Sequence, residues 1–116
     1  MFKDLLILFV LLMSSIQTMA ANPMRYDCTS EVNQIFEIQI FDLEYKLAFL
    51  NQAHTEQIVL SFNEEGTYFF SKFHLYSITF DDLSLVDEDG EGQLSGLYKF
   101  PANPSGARIT CQAFGF

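Results

Sequence analysis

Residues 36–40 read Phe36-Glu37-Ile38-Gln39-Ile40, apolar and polar side chains in strict alternation. A period of two puts Phe36, Ile38 and Ile40 on one face of an extended strand and Glu37 and Gln39 on the other, as a half-buried β-strand requires. The signal recurs along the chain. Ile58, Leu60 and Phe62 share a face, Asn63-Glu64-Glu65-Gly66 supplies a hairpin turn, and residues 67–70 (TYFF) resume as strand. Residues 74–80 (HLYSITF) and 83–86 (LSLV) read as strands on either side of a turn at Asp81-Asp82. A Gly-containing turn over residues 87–92 follows, then a strand marked by Leu94, Tyr98 and Phe100 that stops at Pro101. After a loop over Asn103-Pro104-Ser105-Gly106, Ile109, Cys111 and Ala113 alternate with Arg108, Thr110 and Gln112 in the last strand. Tyr26 to Ser30 forms the first.

Residues 43–54 fit two periods. Leu43, Leu47, Leu50 and His54 stand at helical spacing, and Tyr45, Leu47 and Phe49 at strand spacing. Strands on both flanks favour a strand, with one short helix near 43–54 as the alternative. Short strands at regular intervals, joined by Gly and Asn/Asp turns, predict an all-β fold: a small antiparallel barrel or sandwich of about seven or eight strands. With 116 residues there is room for one core, placed at residues 21–116.

The first 20 residues have the form of a cleaved signal peptide. Lys3 begins it, Leu5 to Met13 is unbroken apolar sequence, and small and polar residues lead to Ala20-Ala21. A membrane anchor needs about 18 to 20 apolar residues, and Ser14 and Ser15 interrupt the run before that. The expectation is a secreted or periplasmic protein with no membrane anchor after cleavage. In such a compartment the two cysteines, Cys28 and Cys111, are expected to be bonded to each other, which brings the first and last strands together.

Charge narrows the partners. Fifteen acidic residues against six basic give a formal −9, and loss of Lys3 and Asp4 together leaves it unchanged. That excludes a nucleic-acid backbone, which is bound through clustered Lys and Arg. Six carboxylates fall in one stretch, Asp81, Asp82, Asp87, Glu88, Asp89 and Glu91, and they form the candidate surface for a cationic protein partner. Asp87, Asp89 and Glu91 are also a weak calcium candidate. The match to an EF-hand fails: with Gly90 at the sixth loop position, the first is Leu85 and the twelfth Gly96, where carboxylates are required. No cofactor other than calcium is suggested.

Catalysis finds little support. His54 sits among polar residues that read as a loop, and His74 is expected within a strand, on the face of Tyr76, Ile78 and Phe80. Neither has a metal-ligand spacing to a second histidine, and no G-x-S-x-G nucleophile motif is present. Paired carboxylates leave a small hydrolase as a minor alternative. The function expected is therefore a non-enzymatic binding or inhibitor module, or alternatively a calcium-stabilised one. The aromatic residues are expected to fill the interior, because an eight-stranded barrel is just wide enough for its own side chains.

Tyr26-Asp27-Cys28 and Thr110-Cys111-Gln112 resemble the terminal segments of the membrane-bound and periplasmic inhibitors of C-type lysozyme. The resemblance implies an exported eight-stranded barrel with a disulfide between its terminal segments. The inhibitory S-G-x-x-Y motif of that family has no complete counterpart here. Ser95-Gly96-Leu97-Tyr98 is one residue short, and Ser105-Gly106-Ala107-Arg108-Ile109 ends in Ile.

Overall fold

The computed structural model describes residues 23–53 and 55–115; the expected signal peptide and His54 lie outside them. Eight strands follow in chain order: β1 Arg25–Ser30, β2 Ile35–Asp42, β3 Leu47–Gln52, β4 Ile58–Phe62, β5 Tyr68–Phe70, β6 Ser77–Phe80, β7 Gly92–Phe100 and β8 Asn103–Phe114. Each pairs antiparallel with its neighbour in sequence, and β8 returns to β1, so the sheet closes as a barrel. Closure leaves no strand at a free sheet edge, although β4 meets β5 only at Ser61 and Phe62. Among the described residues no helix is long and apolar enough to cross a membrane.

Alternation decides what lies inside. Phe36, Ile38 and Ile40 of β2 are buried, as are Tyr26 and Cys28 of β1, Leu60 and Phe62 of β4, and Ile109, Cys111 and Ala113 of β8. Six aromatic rings fill the interior: Tyr26, Phe36, Phe62, Phe69, Phe80 and Tyr98. They meet edge to face or tilted, as in the Tyr26–Phe69 pair at 5.9 Å and the Phe36–Tyr98 pair at 4.7 Å. Of the other described aromatic side chains, Tyr76 and Phe100 pack against this core, whereas Phe41, Tyr45 and Phe73 are exposed rather than inside as expected. Cys28 and Cys111 are direct partners across β1 and β8 and form the disulfide, which is consistent with an oxidising compartment.

Several local expectations are corrected. The helical alternative over residues 43–54 is not adopted: residues 43–46 form a turn and Leu47–Gln52 is β3. The Asp42 side chain starts this turn by accepting hydrogen bonds from the backbone of Glu44 at 2.9 Å and Tyr45 at 3.1 Å. Residues 83–86 are no strand. Leu83–Leu85 is a 3₁₀ turn whose entry is held by Asp82 accepting from the Ser84 backbone at 2.9 Å. His74 is not in a strand either; it ends a second 3₁₀ turn, Lys72–His74, and β6 begins only at Ser77. Asn103–Gly106 belongs to β8, so Pro101 and Ala102 alone turn the chain between β7 and β8. In both mistaken strands the apolar side chains follow strand spacing, but a buried serine or a capping aspartate satisfies the local backbone and competes with the ladder.

Candidate functional site

In a closed antiparallel meander, alternate connections emerge at opposite ends of the barrel. The β2–β3, β4–β5 and β6–β7 connections therefore share one end. They carry Asp42 and Glu44, then Glu64 and Glu65, then the six acids from Asp81 to Glu91: ten carboxylates with a single base, Lys46. The other described acids, Asp27, Glu31, Glu37 and Glu56, are matched in number by Arg25, Lys72, Lys99 and Arg108. Among the described residues the excess of nine acids over bases thus lies on the connections of one barrel end, Asp81 being the one of the ten that turns to the barrel wall. Sequence reading singled out the Asp81–Glu91 stretch. It missed Asp42, Glu44, Glu64 and Glu65, which only the topology brings beside it.

Direct contacts confirm the convergence. Lys46 of the β2–β3 turn pairs with Glu64 of the β4–β5 turn at 3.5 Å. A Cβ added to Gly66 would touch Leu83 at 3.9 Å, and Gly115 at the end of β8 lies against the backbone of Asp89. Between the turns opens a cavity of about 280 Å³. Its walls include Ile40, Leu43, Phe62 and Leu83, Tyr26 contributes to the lining, and Glu64 and Glu65 are exposed beside it. Tyr26 is 2% exposed, and its hydroxyl has no hydrogen-bond partner among the described residues. Burial pushes its phenol well above the ordinary tyrosine range.

The carboxylates at this end divide by what holds them. Asp81 leaves the group for the barrel wall, where it pairs with Arg108; that hydrogen bond raises the guanidinium's proton affinity further. Asp82 is held below the usual carboxylate range by its hydrogen bonds with Ser84. Asp87 is turned to its own loop, accepting from the backbone of Asp89 at 2.9 Å and of Glu91 at 3.0 Å. Glu44, Glu65, Glu88, Asp89 and Glu91 are exposed and make no ion pair among the described residues. These five are the charges free to meet a partner.

The calcium candidate, Asp87, Asp89 and Glu91, is placed in one turn, with one Asp87 oxygen used by the loop backbone. Among the described residues, no three His, Cys, Asp or Glu side chains gather in a group that could hold a metal ion. The Ser95-Gly96-Leu97-Tyr98 segment lies inside β7, with Tyr98 buried in the core and bonded by the Gln52 side chain, so it presents no inhibitory loop. Comparison of the chain with family models, characterised proteins and solved structures finds no match.

Proposed function

We propose that this chain is an exported, non-enzymatic binding module whose acidic barrel end docks on the cationic surface of a partner protein. The observation that carries it is the segregation of charge: three connections hold ten carboxylates and one lysine, while the rest of the described barrel is balanced. Acidity serving solubility alone has no reason to collect at one end, where like charges repel and oppose the compact state. The end also has the anatomy of an interface, a cavity in which apolar Ile40, Leu43, Phe62 and Leu83 stand beside charged Lys46, Glu64 and Glu65. A lysine or arginine side chain suits that combination, because its aliphatic stem can lie on Leu43, Phe62 and Leu83 while its charge meets Glu65, Glu64 being held by Lys46.

Affinity capture from secreted or envelope proteins tests this, using the wild type and a Glu65→Lys/Glu88→Lys/Asp89→Lys variant at low and high salt. A basic protein retained by the wild type at low salt, released at high salt and not retained by the variant is the expected result. Equal retention by both proteins, or no retained partner at low salt, would retire the proposal.

A further inference from the structure

On the outer wall, across β5 to β8, runs a groove of about 570 Å³ whose chemistry is opposite to that of the acidic end. One wall is an aromatic plate. The Tyr68 and His74 rings lie within 18° of parallel and are joined by a hydrogen bond between the Tyr68 hydroxyl and His74 Nδ1, at 2.9 Å. Phe70 stacks against both, 4.7 Å from His74 and 5.3 Å from Tyr68. The plate is anchored by a strained turn: Phe73 and His74 have φ of 60° and 55°, in the left-handed region that such residues rarely enter. Buried Ser71 holds that turn closed. Its hydroxyl accepts from the Tyr76 backbone at 2.9 Å, and its carbonyl accepts from the His74 backbone at 2.9 Å. Strain of this kind persists where the surroundings fix the conformation, and it collects at ligand sites.

The floor and far side are polar. Ser77 is 6% exposed and lines the groove. Lys99, cross-strand neighbour of Ser77, makes no ion pair among the described residues. Asp81, the carboxylate of the lining, is engaged by Arg108. From β5 to β7 is two strand spacings, roughly 10 Å, which spans one sugar ring and an acidic substituent. A nucleotide phosphate carries more charge and calls for several converging donors; one free ammonium suits a single carboxylate.

We propose that this groove binds an acidic saccharide, the ring stacked on the Tyr68–His74 plate, its hydroxyls meeting Ser77 and its carboxylate on Lys99. The site is separate from the acidic end and does not depend on it. Titration calorimetry with trigalacturonic acid, maltotriose and ATP tests it. Saturable binding of trigalacturonic acid, weakened about ten-fold or more by Lys99→Met and by Tyr68→Ala, is expected; about ten-fold corresponds to 1.4 kcal/mol. Maltotriose should bind more weakly by a similar factor, and Glu65→Lys should leave the affinity for trigalacturonic acid intact within about two-fold. Lys99 and Tyr68 are not core residues, and melting curves would verify that both variants fold. No saturable binding of trigalacturonic acid, binding indifferent to Lys99→Met, or ATP bound as tightly would overturn the proposal.

Discussion

Two buried tyrosines separate what a hydroxyl contributes from what a ring contributes. Tyr98 accepts a hydrogen bond from Gln52, whereas the Tyr26 hydroxyl has no partner among the described residues. Tyr98→Phe should therefore cost about 1 kcal/mol, and Tyr26→Phe should be neutral within about 0.5 kcal/mol or stabilising. Urea unfolding of the two variants checks this, and an equal loss in both would be against it. Burial raises both phenols above their ordinary value of 10.0. The unfolded chain then releases protons that the native state keeps, so their contribution is complete below pH 10 and declines as pH rises above it. Gly96 shows the tightness of the wall. A Cβ there would lie 2.4 Å from the Thr79 carbonyl oxygen on the paired strand β6. Gly96→Ala must push β6 and β7 apart, and a loss of about 1–3 kcal/mol is expected in the same unfolding assay.

At the scale of the element, most strands and the turns over residues 63–66 and 87–92 are legible in the sequence, and the two 3₁₀ turns are not. Residues 36–40 and 108–113 announce themselves because one face is buried and the other wet, which writes a period of two into the sequence. The stretches 74–76 and 83–86 carry the same apolar spacing, yet Ser71 and Asp82 hold their backbones in turns. Periodicity consequently places His74 on a strand, and its pairing with Tyr68 is invisible to it: a hydrogen bond across a turn leaves no periodic trace. Asp87 makes the corresponding point for the acidic loop, since one of its oxygens bonds the turn's backbone. An Asn at position 87 keeps a carbonyl oxygen for those two N–H groups. Asp87→Asn with Asp89→Asn should thus leave stability within about 0.5 kcal/mol. Millimolar calcium should raise the melting temperature no more than sodium of equal ionic strength. A calcium-specific rise of several degrees, lost in the double variant, would instead establish a metal-stabilised turn.

The whole molecule is held by a ring of neighbouring strands and one covalent link across its seam. The Cys28–Cys111 bond spans 83 residues, and the chain-entropy model assigns such a loop about 4.5 kcal/mol. Replacing both cysteines by serine should lower the melting temperature by well over about 10 °C, at roughly 4–8 °C per kcal/mol for a domain of this size. The pairing itself is readable from two cysteines in a chain expected to be exported, but the charge polarity is not. Asp42 and Glu44 stand far from Asp87 in sequence, and only the alternation of connections places them at one end. That polarity is the centre of the account, and the four balanced acids elsewhere provide its internal control. Titration of the ¹⁵N-labelled protein with a lysine-rich peptide, followed amide by amide, measures it directly. Shifts at low salt should be confined to residues 42–46, 63–67 and 82–91 and should vanish at high salt. Equal perturbation around Asp27, Glu31, Glu37 and Glu56 would contradict a single acidic docking end.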